Sequence, residues 1–296
     1  MPELPEVETV RRGLEPVMCG CRITRLELRR RDLRFPFPPD FADRVEGRMI
    51  TSLGRRSKYL LATLDNGDVL LMHLGMTGRF DISRESTSST SKRPGEFHHK
   101  HGGIPAHDHV IFHLESGDRV TYNDVRRFGF MVLMSGPERE QHPLLRDLGV
   151  EPLGNAFSAE YVAERAHGRK TDLKAFLLDQ RHIAGLGNIY VCEALYRSRL
   201  GIKRRASVLA TRSGRPTEAA HRLVREIRAV LEEALAAGGS TLRDYRHADG
   251  ALGYFQHAFN VYGREGEPCL APGCSGLIHR IVQAGRSTFH CPKCQR

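Results

Sequence analysis

The feature that most restricts how this chain can fold is a cluster of four cysteines in its last 28 residues. Cys269 and Cys274 form one pair, Cys291 and Cys294 form a second, and sixteen residues separate the two pairs. Two close pairs of thiolates suit a tetrahedral Zn²⁺ ion. Four protein ligands leave no open coordination position, so we predict one structural zinc ion that stabilises a small C-terminal hairpin.

Two other interpretations of these cysteines are open. The four could form two disulfides, although the total of seven cysteines is odd and clustered, which favours a metal. A nucleobase deaminase joins a His-x-Glu motif to a Cys-x-x-Cys motif around catalytic zinc. Here His113 and Glu115 alternate as in a strand, and the Cys-x-x-Cys pair already has cysteine partners, so this class is disfavoured. The remaining cysteines are predicted to be plain thiols: Cys19, Cys21 and Cys192.

The charge balance favours a polyanionic partner. Lys and Arg number 45 against 35 Asp and Glu, a formal net charge of +10. Counterion release makes nucleic acid the first candidate, and a basic surface that serves solubility is the alternative. No stretch approaches the roughly 20 apolar residues that cross a bilayer, and the first residues are too acidic for a signal peptide. We therefore expect a cytoplasmic protein without membrane association, located at the nucleoid when on DNA.

Hydrophobic periodicity predicts an α+β chain in three parts. A leading helix over residues 5–17 precedes short apolar or β-branched segments separated by turn signals, a pattern typical of an antiparallel β-sandwich. These segments are residues 22–28, 59–64, 69–73, 109–114 and 130–133. Helical periodicity then takes over in residues 158–165, 173–178, 191–196 and 217–237. The predicted parts are a β-sandwich domain (1–136), a helical domain (137–239) and a C-terminal segment (240–296).

Residues 83–103 are rich in Ser, Thr and charge and poor in apolar residues. This composition predicts a solvated surface insertion. Its His98, His99 and His101 could instead bind a metal ion.

Six ordered motifs together resemble the formamidopyrimidine-DNA glycosylase family over nearly the whole chain outside the insertion. They are residues 2–9 (PELPEVET), 55–60 (RRSKYL), 73–78 (HLGMTG), 126–129 (RRFG), 185–190 (GLGNIY) and the terminal cysteine cluster. The resemblance implies that the helical domain is a helix-two-turn-helix domain and that the C-terminal hairpin is a zinc finger.

The resemblance implies a catalytic role for the start of the chain. If Met1 is removed, Pro2 presents a secondary amine, and α-amino groups titrate near 8, so part of it is neutral at cellular pH. Such an amine can attack the sugar C1′. The resemblance makes Glu3 the general acid and Lys58 a proton donor in β-elimination, whereas Glu6 orients the amine or contacts the base pocket. The alternatives are that residues 2–6 only begin and cap the first helix and that Lys58 belongs to a solvated or phosphate-binding face.

Further positions match DNA contacts of the family. A damaged base must be rotated out of the stack, and Met76, Arg126 and Phe128 match the residues that fill the gap, with Arg126 on the orphaned cytosine. Taken alone, Met76 and Phe128 could be core residues. Backbone contacts are implied for four more residues: His107, Arg169, Lys170 and Asn188.

The C-terminal segment carries two further expectations and two departures. Arg286 at the hairpin tip is implied to hold phosphates near the lesion and to help δ-elimination, and residues 241–254 correspond to a loop over the extruded base. The first cysteine pair is wider than is usual in the family, which puts the turn geometry in doubt. Val125 replaces a usual proline, and Arg169 replaces a usual lysine.

The resemblance predicts a bifunctional glycosylase and abasic-site lyase that removes 8-oxoguanine and formamidopyrimidines from double-stranded DNA by β,δ-elimination, acting as a monomer. A positive groove between the β-sandwich and helical parts should hold the bent duplex. Three alternatives are the pyrimidine-directed endonuclease VIII branch, a non-catalytic DNA-binding protein and a zinc-scaffold interaction protein. The motif at residues 2–5 and the set Met76, Arg126 and Phe128 favour the purine branch over the first. Intact Pro2, Glu3 and Lys58 argue against the second, and a zinc scaffold would not need the N-terminal motif.

Overall fold

A computed structural model describes residues 2–84, 104–240 and 255–296 of the chain. Most of the predicted insertion, with His98, His99 and His101, lies outside the described residues, as does the predicted base-covering loop 241–254. The described residues form two compact units. The first comprises residues 2–84, 104–142 and 238–240, and the second comprises residues 143–237 and 255–296.

The first unit begins with helix α1 (Leu4–Met18), which confirms the helix predicted over residues 5–17. Pro5 lies in the first turn, where a missing N–H costs no helical hydrogen bond. Glu3 and Glu6 form a capping box around this turn. Val7, Val10 and Leu14 share one face and are all buried, so the helix is held on the sheet by apolar packing.

Two antiparallel four-stranded sheets make up the rest of the described first unit, together with a short helix α2 (Phe41–Val45). The strands are β1 (Ile23–Leu28), β2 (Ile50–Arg56), β3 (Tyr59–Leu64), β4 (Val69–His73), β5 (Arg79–Arg84), β6 (Asp108–Leu114), β7 (Asp118–Asn123) and β8 (Phe130–Met134). One sheet has the order β2-β3-β4-β8 and the other β1-β6-β7-β5. The predicted β-sandwich with a leading helix is confirmed.

Strand register brings several connections of the first unit to shared sheet ends. Tyr59 pairs with His73, and His73 pairs with Phe130, so the turn before β3 lies alongside the end of β4 and the start of β8. In the other sheet, Asn123 pairs with both Arg79 and Asp108. The connections that contain Met76, His107 and Arg126 therefore begin or end at neighbouring strand positions.

The second unit is helical and ends in a hairpin, as predicted. Its helices are α3 (Ala159–Ala166), α4 (Leu173–Leu178), α5 (Asn188–Arg197) and α6 (Glu218–Ala236), and its strands are β9 (His279–Gln283) and β10 (Arg286–His290). Ser158 and Thr217 cap α3 and α6 by accepting hydrogen bonds from backbone N–H groups of the first turns. Among the described helices, none combines the length and apolar character needed to cross a membrane.

A buried carboxylate joins α5 to the segment that leads into the terminal hairpin. Glu193 is fully buried, and its oxygens accept hydrogen bonds from the backbone N–H groups of Asn260, Val261 and Tyr262 at 2.9 to 3.1 Å. The Asn260 side chain donates a further bond at 3.0 Å. One carboxylate thus satisfies three consecutive backbone donors.

The substitution Glu193→Gln is expected to destabilise the second unit by about 3 kcal/mol, because an amide NH₂ would face buried donors and leave at least one of them unsatisfied. Thermal unfolding of the full chain checks this, with Glu232→Gln at an exposed position of α6 as the matched control. Equal unfolding midpoints for the two variants would contradict the anchoring role.

Candidate functional site

The start of the chain is buried and tied to its own first helix. Pro2 is buried, and Glu3, the residue before α1, is 2% exposed. The Glu3 backbone N–H donates to Glu6 Oε2 at 2.8 Å. The capping interpretation of these carboxylates is therefore confirmed, and it leaves the chemical roles of Glu3 and Glu6 open, because one carboxyl can do both.

Glu6 also holds the chain at Ser240, 234 residues away. Its Oε1 accepts hydrogen bonds from the Ser240 backbone N–H at 2.9 Å and from the Ser240 hydroxyl at 2.8 Å. Gly239 has a φ of +80°, and a Cβ there would lie 3.3 Å from Glu6 Oε1. Glycine thus permits the close approach. Glu6 connects the start of α1 to the residue that precedes the undescribed segment 241–254.

Lys58 lies in the turn between β2 and β3 and is only 7% exposed. The interpretation of Lys58 as part of a solvated face is therefore wrong. The preceding residue, Ser57, has a left-handed φ of 54°, and its carbonyl accepts a hydrogen bond from Arg55 Nη1 at 2.7 Å. Arg55 Nε in turn donates to Glu8 of α1 at 3.3 Å. This chain of contacts ties the lysine turn to the first helix.

The carboxylate of Glu8 is the charged centre of that connection. Burial opposes its ionisation, but hydrogen bonds from Arg11 and Arg12 and the charge of Arg55 outweigh burial and lower the pKa of Glu8. The group therefore stays negative and keeps the surrounding guanidinium groups in place.

His73 is a further candidate for the site, and sequence reasoning did not single it out. Burial, followed by the charges of Lys58 and Arg34, lowers its pKa to about 4, although Asp124 acts in the opposite direction. Its Nδ1 accepts a hydrogen bond from the Gly75 N–H at 3.1 Å, so the proton of the neutral ring is on Nε2. His73 can donate a hydrogen bond there without adding charge beside Lys58. Its position in the motif at residues 73–78 was the available signal.

The predicted gap-filling residues are exposed. Met76 is 36% exposed and Phe128 is 43% exposed, so the interpretation of these two as core residues is wrong. The Arg126 guanidinium lies 4.7 Å from the centroid of the Phe128 ring, a cation–π contact. A cleft of about 570 Å³ lies beside them, lined by Asp32, Leu33, Arg34, Arg126, Arg127 and Phe128.

His107 is half-buried at the end of a short 3-10 turn, and its carbonyl accepts a hydrogen bond from the Asp124 N–H at 3.0 Å. This bond places His107 next to the segment that carries Arg126 and Phe128. The structure thus brings together three sequence-predicted positions from two different connections of the first unit.

In the second unit, the predicted backbone-contact residues fall in two places. Arg169 and Lys170 are exposed in the connection between α3 and α4. Asn188 is the first residue of α5, and its Nδ2 donates to the Ser287 carbonyl at 2.9 Å. Ser287 follows the exposed Arg286, so Asn188 and Arg286 lie close to each other.

The turn before Arg286 has two consecutive residues with left-handed backbone, Ala284 at a φ of 47° and Gly285 at 73°. The side of β10 that follows is held by Lys174 of α4, which is buried and donates to Thr288 Oγ1 at 2.5 Å. Arg286 therefore begins a strand, β10, whose next two residues are held by side chains of two helices, α5 and α4.

The four clustered cysteines converge on one point. Their sulfur atoms all lie within 4.8 Å of one another, with Cys269 to Cys294 at 3.7 Å and Cys274 to Cys291 at 3.8 Å. Zn–S bonds of about 2.3 Å in a tetrahedron place sulfurs about 3.8 Å apart, so the set fits zinc. A disulfide needs sulfurs about 2.05 Å apart, so the disulfide interpretation is wrong. The wider first pair does not prevent convergence.

Comparisons with known proteins agree along the chain. Residues 1–131 match the formamidopyrimidine-DNA glycosylase N-terminal domain, residues 148–246 the H2TH domain of the same enzyme, and residues 266–296 the zinc finger found in FPG and IleRS.

The full chain is 60% identical to the whole of a formamidopyrimidine-DNA glycosylase from Bradyrhizobium sp. (strain BTAi1). It matches the crystal structure of the MutM (Fpg) protein from Thermus thermophilus with a TM-score of 0.80 and 40% identity, over 99% of this chain and 98% of that one. It matches a Lactococcus lactis Fpg mutant in complex with a Fapy-dG containing DNA with a TM-score of 0.83 and 31% identity, over all of both chains. The chain therefore belongs to the formamidopyrimidine-DNA glycosylase family.

Proposed function

We propose that this member of a base-excision repair family is a bifunctional enzyme that removes oxidised purines and then cleaves the strand through a Schiff base on Pro2. The observation that carries the proposal is the burial of Pro2 and Glu3 together at the capped start of α1. A carboxyl group that is 2% exposed lies directly next to the residue that would supply the amine.

The chemistry begins after removal of Met1, when the amine of Pro2 attacks the sugar C1′. The bond from C1′ to the base breaks, and the base leaves with its electron pair. Glu3 protonates the ring oxygen as the sugar opens, and the amine loses its proton to leave an iminium ion. Loss of a C2′ proton then breaks the C3′–O bond and expels the 3′ phosphate, and loss of a C4′ proton breaks the C5′–O bond and expels the 5′ phosphate. Lys58 and Arg286 donate protons to the departing phosphate oxygens in these two steps.

We assign base eversion to three exposed residues of the first unit, Met76, Arg126 and Phe128, called the exposed trio below. Met76 and Phe128 present apolar surface to solvent, and this surface would fill the gap in the stack, while Arg126 donates hydrogen bonds to the orphaned cytosine. Exposed or half-buried basic groups and one amide bind the DNA backbone: His107, Arg169, Lys170 and Asn188.

The four cysteines would hold a zinc ion as a structural ion, since four protein ligands leave no open coordination position. The ion would stabilise the hairpin that carries Arg286. No step of the proposed reaction passes through the metal.

The proposed substrate is double-stranded DNA with 8-oxoguanine opposite cytosine or with a formamidopyrimidine, bound by a monomer. The solved complex of a Lactococcus lactis relative contains Fapy-dG DNA, which supports this substrate class. The endonuclease VIII alternative differs in preferring oxidised pyrimidines.

Borohydride trapping tests the proposal. The full chain is incubated with duplexes that contain 8-oxoguanine opposite cytosine, a formamidopyrimidine, or dihydrothymine, and the iminium is reduced to a stable adduct. We expect a covalent adduct at Pro2 and strand cleavage with the two purine lesions. Preference for dihydrothymine would support the pyrimidine branch, and binding without an adduct would support a non-catalytic DNA-binding protein.

A further inference from the structure

A fully buried carboxylate lies beneath the exposed trio. Asp124 follows β7 and is 0% exposed. Its Oδ1 accepts hydrogen bonds from the Thr77 hydroxyl at 2.5 Å and from the Arg126 N–H at 3.3 Å. Its Oδ2 accepts from the Gly129 N–H at 2.9 Å and from the Tyr122 hydroxyl at 3.2 Å. All four partners donate, so the site suits an ionised carboxylate.

These bonds connect two segments that are 47 residues apart in sequence. Thr77 is adjacent to Met76, and its hydroxyl both donates to Asp124 and accepts from the Arg126 N–H at 3.1 Å. Asp124, Thr77 and Arg126 thus form a closed set of hydrogen bonds. The backbone positions of Met76 and Arg126 are set relative to each other before any DNA is bound.

Close packing excludes loose arrangements of the same segments. A Cβ on Gly75 would lie 2.3 Å from the Gly129 nitrogen, and a Cβ on Gly129 would lie 1.7 Å from the Tyr122 hydroxyl oxygen. Burial and the charge of Asp124 raise the pKa of Tyr122 well above its ordinary value, so the phenol keeps the proton that it donates. Neither glycine position has room for a side chain.

We propose that Asp124 is a positioning residue that, through Thr77, holds Met76, Arg126 and Phe128 in the arrangement that enters the base stack, an inference that rests on the proposed function. Ordering flexible side chains costs about 0.5–1.5 kcal/mol each on binding. A pre-set trio avoids part of that cost at the step where the damaged base leaves the stack.

The positioning role of Asp124 predicts that the reaction rates on two substrates respond differently when the trio is loosened. Removing 8-oxoguanine requires an intact base to leave the stack, whereas an abasic site has no base to unstack. Loosening the trio should therefore slow base excision more than reaction at an abasic site. A general loss of folding would slow both equally.

Thr77→Val tests the inference, because it removes the hydroxyl link and leaves the bonds from Asp124 to Tyr122 and Gly129. We expect the single-turnover excision rate on 8-oxoguanine opposite cytosine to fall about tenfold, which is the loss of roughly one hydrogen bond, while borohydride trapping on an abasic duplex stays within about twofold. Thr77→Ser keeps the hydroxyl and should restore excision.

Asp124→Asn should show the same difference between substrates with a larger loss, since an amide nitrogen cannot accept these bonds. If Asp124→Asn does not fold, the comparison of Thr77→Val with Thr77→Ser still tests the inference. Thr121→Val is the matched control. Thr121 and Thr77 are both 8% exposed, but Thr121 lies in β7 outside this set of hydrogen bonds. A 2-aminopurine beside the orphaned cytosine reports insertion of the trio directly, and its fluorescence rise should slow in Thr77→Val.

Two failures are distinguishable. If the wild-type protein neither excises 8-oxoguanine nor forms an adduct, the proposed function fails, and the inference fails with it. If the wild type excises normally and Thr77→Val is unchanged, or slows equally on both substrates, only the positioning role of Asp124 is overturned.

Discussion

Blocking the amine of Pro2 is expected to abolish strand cleavage while binding to a damaged duplex persists. A few residues added before Pro2 convert the secondary amine into an amide, which cannot form an iminium ion. Removing a nucleophile costs on the order of 10³-fold or more in rate. The DNA contacts proposed for Met76, Arg126 and Phe128 are unaffected by this change, so binding measured by fluorescence anisotropy should remain.

The matched control carries the same extension after Arg296, where it leaves Pro2 free. Because Pro2 is buried, thermal unfolding of both proteins must be compared to show that the N-terminal extension does not disrupt α1. The substitution Pro2→Gly is not a useful test, since glycine also provides an N-terminal amine. Full cleavage by the N-terminally extended protein would show that Pro2 is not the nucleophile.

Replacing one cysteine of the four-sulfur cluster is expected to have the second largest effect, a loss of hairpin folding and of affinity for damaged DNA. In Cys291→Ser a fully buried ligand is removed, and structural zinc sites contribute about 10 kcal/mol or more to folding of the segment that they hold. We expect loss of the zinc ion, unfolding of the hairpin β9–β10 and about a 100-fold loss of affinity for damaged DNA, because Arg286 no longer has a fixed position.

The measurements are zinc content by mass spectrometry and duplex affinity by anisotropy at one fixed salt concentration. Cys19→Ser is the matched control, because Cys19 is half-buried and lies outside the four-sulfur cluster. Unchanged affinity in a zinc-free Cys291→Ser protein would exclude the hairpin as a DNA-binding element.

Sequence patterns predicted the elements whose own residues carry a strong signal. The helix over 5–17 and the segments 59–64, 69–73 and 173–178 match α1, β3, β4 and α4 closely, because apolar residues recur there at the spacing of the element. The strands β2, β5 and β7 were not singled out. Each includes charged residues, which weaken the apolar signal of a short strand, and each is stabilised by hydrogen bonds to neighbouring strands that are distant in sequence or joined by a turn.

The sequence alone determined the local chemistry. It indicated the metal site by the spacing of four thiols, the capped helix start by the carboxylates at the start of α1, and the family by the order of the six motifs. The tertiary structure decided which side chains are exposed and which distant groups meet. It made Met76 and Phe128 exposed, buried Lys58 and lowered the pKa of His73. It also joined Glu6 to Ser240 and Thr77 to Asp124 across 234 and 47 residues. Burial and long-range hydrogen bonds arise only when the chain closes on itself, and no local spacing encodes them.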